Sequence, residues 1–527
     1  MSDWLTRTLS SGAGAVINGW SWLSGEASAA VIDTIVASTR NRPYPWSTLS
    51  DYTSWDSLTD RTWFARHLPA AQPPCAPPVA DVQALFSRPP GRQRTSDKST
   101  CLFPAFAQYL TDGFIRTNPV DPARTSSNHE IDLCTLYGRD RLQTLALRRL
   151  VDVAGERGRL KSQMIGGEEF PPFLFPAGGR VADPRFDVLD RPLFSHLQAT
   201  PPPEPYPPPT MTDARVGTIF AVGGDRVNST PFSAMMNTLL LREHNRVAGQ
   251  LEGQNPDWDD ERVFQVARNI LICVFIKVVV EDYINHVTPM PFSLHADPSV
   301  AWAANWNRPN WIAAEFSLLY RWHSLMPDVI AWSDAEIPLA AFTLDNAPLL
   351  RTGLDAAFSA AARQPAADLG VFNTGDALLP VEAYAVLQAR YNHLDTYNHY
   401  RVRFGMPQAR TFADITRDPE VARRLESLYA TPDNVEFYPG LFAEDRVQDS
   451  PLPGLMMRMV AVDAFSQALT NPLLSEHVFN PATFTQWGLN LINATHKVSD
   501  ILARNVPARG SAPVDFTRAG WSYVNTP

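Results

Sequence analysis

The sequence predicts a mainly α-helical protein, and three observations carry that prediction. Apolar residues recur with a period of about 3.6 residues in the stretches 235–251, 258–287, 381–403 and 455–470. The alternation that marks half-buried strands is scarce, so only a few short hairpins are expected. Hydrophobic residues make up 45% and charged residues 19% of 527 residues, the balance of a globular chain with a large core.

Residues 1–42 form the first unit. Trp4, Leu5, Leu9, Val16, Ile17, Trp20, Trp22, Leu23, Val31, Ile32, Ile35 and Val36 fall at roughly helical spacing, broken by Gly and Ser. That pattern predicts several short amphipathic helices. Their tryptophans suit a membrane interface, and a cap over a channel or against a partner chain suits them equally. Arg7 is the only cation before Arg40, so any membrane grip must come from apolar burial. Residues 43–527 form the main body. Its 46 prolines concentrate in Pro69–Pro78 and Pro201–Pro209, which read as stiff, extended connectors. The helix over 235–251 is built on Met235, Leu239, Leu240 and Val247. The next, over 258–287, places Asp259 and Asp260 in its first turn, favourable against the helix dipole. From Ile270 to Val280 it is apolar except for Lys277, which predicts burial on nearly every side.

Several functional classes are disfavoured. A net charge of −10 without a Lys/Arg run argues against nucleic acid as a partner. Cys75, Cys101, Cys134 and Cys273 are irregularly spaced and suit neither a zinc site nor a disulfide framework. A reducing, cytoplasmic location is expected, peripheral at a membrane if the first unit binds one. No signal peptide is read at the N-terminus, and no run of about twenty apolar residues is seen.

The most informative segment is Glu315–Asp328, which holds Tyr320, Trp322, His323, Leu325 and Pro327. Tyr320 and His323 at i and i+3 would share one flank of a helix. Alone, the pair reads as an aromatic helix with one buried histidine. The wider text is more specific. Tyr-x-Trp-His followed by Leu-x-Pro-Asp resembles the proximal-haem motif of the animal haem peroxidase superfamily, in its cyclooxygenase and fatty-acid dioxygenase branch. The blocks Asn237–Val247, Trp258–Tyr283, Arg401–Met406 and Glu436–Leu441 resemble further family segments in the family's order, and the likeness runs from about Trp4 to about Thr495.

The resemblance implies a cyclooxygenase-like helical catalytic domain that binds haem b through His323, the proximal ligand of the iron. It implies that Tyr320 is oxidised to a radical that takes hydrogen from an unsaturated fatty acid, to which dioxygen then adds. A homodimer is also within what it implies. The disulfide-rich module that precedes the catalytic domain of cyclooxygenases is not seen here. Residues 103–114 resemble the distal helix, with Gln108 at the family's glutamine position but Asp112 where the family has its histidine. A solvated aspartate, with a pKa near ~4, is a poor proton donor at neutral pH. A buried one can be tuned toward the working pH. Weak peroxidase turnover is therefore expected.

His129, in His-x-x-Asp-Leu-x-x-x-Tyr-Gly, and His244 read as structural. Calcium is not expected, because Gly113 and Cys134 stand at positions where calcium-binding relatives place oxygen ligands. Arg40 aligns with the arginine that pairs with a fatty-acid carboxylate, and Arg42 is the alternative. The tyrosine that assists it is missing; Arg351 and Thr352 lie nearest. Ser466 resembles the channel serine near the radical tyrosine. These features favour a haem-dependent dioxygenase that makes a fatty-acid hydroperoxide, without prostaglandin-type cyclisation. The alternatives are a peroxidase of small donors with Asp112 as acid–base group, and a lipid-binding relative without oxidative chemistry.

Overall fold

The computed structural model describes residues 21–39, 46–176, 179–191, 211–333, 335–506 and 513–524. The expected Arg40 and Arg42, Trp4 and Trp20, and the 201–209 connector lie outside these residues. Ten helices position the site: α1 (Ser21–Thr39), α2 (Leu102–Phe114), α3 (Pro231–Gln254), α4 (Asp260–Val278), α5 (Ala314–Leu319), α6 (Ala347–Arg363), α7 (Leu379–Tyr391), α8 (Tyr397–Arg403), α9 (Phe437–Ala443) and α10 (Gly454–Leu469). Among the described residues strands pair only two at a time, all antiparallel. The clearest is the hairpin Val329–Trp332 with Ala335–Pro338, in the register Val329↔Pro338 and Trp332↔Ala335.

The long helices obey local rules. Thr230 caps α3 by accepting from the Ser233 N–H, with Pro231 in the first turn. Asp259 caps α4 through the Arg262 N–H, with Asp260 and Glu261 just inside. From Ile270 to Val280 every residue except Lys277 is buried, as the apolar run predicts. The helical path continues beyond α4 through a π-helical turn, Val279–Ile284, to Val287. Against expectation, this 28-residue path is long and apolar enough to cross a bilayer by length and composition, but 72% of its apolar window is buried inside the protein. It is the core helix of the fold, packed on α3.

The described part of the first unit is one 19-residue helix, α1, and the several short helices expected over 1–42 lie partly outside the described residues. Val31, Ile32 and Val36 bury one face against the body, and the Trp306 indole donates to Asp33 at 2.7 Å. The helix predicted over 381–403 is broken at 392–396. His393 adopts a left-handed φ of 52°, and the Tyr397 N–H donates to Val435 O at 2.9 Å, so the chain turns before α8 starts.

Tyr320 and His323 do not share a helix. α5 ends at Leu319, Tyr320 and Trp322 leave helical geometry (ψ 18° and 42°), and His323 opens a separate 3₁₀ turn. The buried Arg88 guanidinium holds the segment that follows the turn, donating to Met326 O at 3.0 Å and pairing with Asp328 at 2.6 Å.

The C-terminal helices brace this turn. α9 lies so close to α8 that a Cβ on Gly440 would fall 2.5 Å from Cγ of the buried Tyr397. Gly440→Ala is expected to cost about 1–3 kcal/mol through overpacking, measured as a lower thermal midpoint. An unchanged midpoint would contradict the packing described.

Candidate functional site

A cavity gathers residues distant in sequence: Gln108 and Asp112 from α2, Arg226 and Ser229 before α3, and Tyr320 and His323 after α5. On α2, Gln108 and Asp112 stand one turn apart and so share a face. The opposite side of α2 is anchored by Phe103, whose ring stacks on Tyr283 and Trp322 at centroid distances of 5.5 and 5.3 Å. Gln108 donates from its amide to Ser229 Oγ at 2.6 Å.

Asp112 is buried, with one carboxylate oxygen lacking any hydrogen bond. Its pKa rises to about 6, chiefly because burial disfavours the charged form; Arg226, at 4.0 Å, opposes the rise and Asp225 adds to it. The aspartate is thus the tuned carboxyl, not the solvated one.

His323 is backed by a partner that sequence reasoning missed. Its Nδ1 lies 3.2 Å from Oε1 of the buried Glu382 on α7, within ion-pair range though off hydrogen-bond alignment. Glu382 also accepts from Thr374 Oγ1 at 2.8 Å and from the Tyr438 hydroxyl. That arrangement leaves Nε2 as the ring nitrogen for a ligand, with a carboxylate behind Nδ1 to orient the ring. A single glutamate within an otherwise apolar helix face was the available signal.

Tyr320 lines the same cavity. Burial is the main reason its phenol is pushed above the usual range; the neighbouring Tyr283 hydroxyl opposes the shift and the Asp463 carboxylate adds to it. Neither phenol makes a hydrogen bond of standard geometry. Tyr283 was also missed by sequence reasoning. It sits on the π-helical turn, a local distortion that often marks a functional position.

Other expected residues lie elsewhere. Ser466 is buried on α10 and donates to Asp463 O at 3.0 Å, and it is not among the cavity-lining residues. Thr352 accepts from the Trp332 indole at 2.9 Å. His129 takes the Ile312 N–H at 2.9 Å and bonds Arg61 O. His244 bonds the Tyr137 hydroxyl at 2.9 Å and Gly158 O at 2.8 Å, and burial lowers its pKa to about 3. Cys134 packs on Gly113 O and the buried Arg116 guanidinium, a cationic neighbour where relatives hold calcium.

The donor set fits an iron porphyrin. One wall offers an imidazole oriented through its second nitrogen, and another offers an amide and a carboxyl with one oxygen free of any hydrogen bond.

The raised Asp112 pKa has a stability consequence. The folded chain holds the proton more tightly than the unfolded chain, whose carboxyl has its usual pKa of 3.8. Stability is therefore lost as pH rises from about 4 to about 6. Asp112→Asn is expected to raise stability at pH 7 by roughly 1–3 kcal/mol and to change it little at pH 4, read from urea unfolding at both pH values. Equal effects at both pH values would contradict the assignment.

The family model for animal haem peroxidases matches residues 117–516, beginning just after α2. The chain is 31% identical over 497 residues to prostaglandin G/H synthase 1 of Rattus norvegicus, covering 90% of this chain and 77% of that protein. It is 31% identical over 471 residues to prostaglandin G/H synthase 2 of Equus caballus, covering 86% and 72%. Among solved structures, peroxidase A from Dictyostelium discoideum aligns with a TM-score of 0.69 at 17% identity, covering 91% of this chain and 100% of that one. The fatty acid alpha-dioxygenase of Oryza sativa aligns with a TM-score of 0.67 at 14% identity, covering 94% and 92%. Those two likenesses establish a shared mainly α-helical fold, and the sequence matches establish more: the chain belongs to the animal haem peroxidase family.

Proposed function

We propose that this protein is a haem-dependent dioxygenase that converts an unsaturated fatty acid to a hydroperoxide through a radical on Tyr320. The observation that carries the reading is the opening of Tyr320 and His323 onto one cavity. A phenol there shares its cavity with whatever group His323 holds, and its hydroxyl is buried beside that of Tyr283.

Haem b, held by His323 with Glu382 behind it, supplies one-electron oxidising power when bound. The protein's residues do the rest. Gln108 positions a peroxide by hydrogen bonding, and Asp112 moves its proton, with a pKa of about 6 near the working pH. Arg226 provides positive charge 4.0 Å from that carboxylate. Tyr320 loses its phenolic hydrogen and takes one from an activated methylene of the substrate. Dioxygen adds to the resulting carbon radical. The peroxyl radical then takes the hydrogen back from Tyr320, which regenerates the tyrosyl radical and releases the hydroperoxide. Arg40 is proposed to hold the substrate carboxylate, with Ser466 toward the channel.

A second reading is favoured by one observation. The tuned Asp112 makes the distal wall competent for acid–base work, which suits a peroxidase of small donors. Oxygen uptake with linoleate separates the two. Tyr320→Phe is expected to lower uptake at least 100-fold while haem binding, read from the Soret band, is retained; undiminished uptake would contradict the proposal. Asp112 must be ionised to take the peroxide's proton, so hydroperoxide turnover is expected to fall as pH drops through about 6, and Asp112→Asn is expected to remove that limb of the profile. A limb that survives in the variant would exclude Asp112 as its source.

A further inference from the structure

A second cavity shares no lining residue with the first. Lys98 lines it, from the short strand Thr95–Thr100. The lysines of this chain are Lys98, Lys161, Lys277 and Lys497. Lys277 and Lys497 are paired with Glu281 at 2.5 Å and with Asp515 at 3.1 Å. Lys161 is half-buried and donates to Ala146 O at 2.5 Å. Lys98 is 2% exposed and makes no ion pair among the described residues.

Uncharged groups hold its amine. Nζ donates to Asp449 O at 2.6 Å and to Thr288 O at 3.4 Å. It lies 4.4 and 5.4 Å from the ring centres of Trp521 and Tyr523. These rings arrive on the C-terminal segment, which the Arg518 N–H ties to Lys98 O at 2.8 Å. Asp449 takes a left-handed φ of 64°, and its carboxylate accepts the Val524 N–H at 3.1 Å. A neutral amine keeps two N–H donors, which match the two carbonyls and leave the nitrogen lone pair uncommitted. The guanidiniums that share the cavity are already engaged, Arg417 by Asp445 at 2.8 Å and Arg446 by Asp368 at 3.1 Å and Asp97 at 3.3 Å. The unengaged chemistry of this cavity is therefore that of the amine.

We infer that Lys98 is a nucleophilic amine that takes up a short-chain aldehyde from this cavity as an imine. The nitrogen lone pair forms a bond to the carbonyl carbon, and the carbonyl oxygen takes the proton that the nitrogen loses. The resulting carbinolamine expels its hydroxyl as water when the nitrogen gives up its second proton, leaving a carbon–nitrogen double bond. One water leaves, and nothing is oxidised or reduced. Burial favours the reactive form, because it disfavours the ammonium. The Lys98 pKa falls to about 8, although the Asp449 and Asp97 carboxylates oppose the fall. Two other titratable groups face the amine. Burial raises the Tyr523 phenol to about 12 and lowers His286 well below its usual range, so neither changes charge near pH 8. The inference is independent of the dioxygenase reading.

The test treats the folded, full-length protein with propanal and cyanoborohydride, whose hydride fixes an imine as a secondary amine, and maps the labelled lysines by mass spectrometry. At pH 7, Lys98 is expected to be labelled at least tenfold faster than Lys497, and in urea at a similar rate. The Lys98-to-Lys497 ratio is expected to fall as pH rises through about 8, where Lys98 is saturated in its neutral form and Lys497 is not. Asp449→Asn keeps a side-chain oxygen for Val524, a residue type that tolerates the left-handed backbone, and the main-chain carbonyl for Lys98. Removing its charge is expected to start that fall at lower pH. The inference is overturned if folded Lys98 is labelled no faster than Lys497, which would make it a clamp for the C-terminal segment. It is also overturned by a ratio that stays flat to about pH 10, the range of an ordinary lysine, or by a fall that Asp449→Asn moves to higher pH.

Discussion

The site depends on the buried carboxylate of Glu382. One oxygen faces His323 Nδ1 at 3.2 Å and takes the Thr374 hydroxyl, while the other takes the Tyr438 hydroxyl. A buried charge of this kind is tolerated only where several donors compensate it. The carboxylate comes from α7 and the donors from α9 and the loop around Thr374, so three separate regions must be in register before His323 can be oriented. The Arg88 contacts with Met326 O and Asp328 fix the other side of the same turn.

The distal wall changes the balance between the two chemistries. Replacing the family's histidine with aspartate reads, on sequence alone, as a weakened peroxidase side. Burial without a full set of hydrogen bonds raises Asp112 to about 6 even though Arg226 lies nearby, close to the ordinary range of a histidine. Aspartate is shorter and acceptor-only when ionised, so it trades reach for a carboxylate that Arg226 can hold. The proposed oxygenase reading therefore rests on Tyr320, more than on any deficiency of the distal side.

Much of this was legible in the sequence, for identifiable reasons. The 3.6-residue period located α3, α4 and α10 because each buries a continuous apolar face. The Gln108–Asp112 spacing placed both on one side of α2, and ordered motif blocks pointed to Tyr320 and His323. Glu382, Tyr283 and Arg226 were not legible. Their roles arise from contacts between segments more than 50 residues apart or from a π-helical distortion, neither of which leaves a periodic trace. Ser466 sits beside Asp463, whose carboxylate pairs with the buried His67 at 2.8 Å and also acts on the Tyr320 phenol.

The central claim is that Tyr320 carries the reacting radical. Freeze-quench electron paramagnetic resonance of the haem-reconstituted protein, mixed with a fatty-acid hydroperoxide, tests it most directly. The account predicts a tyrosyl radical signal in wild type that collapses on adding an unsaturated fatty acid without oxygen and is absent from Tyr320→Phe. A signal that persists unchanged in Tyr320→Phe would contradict it.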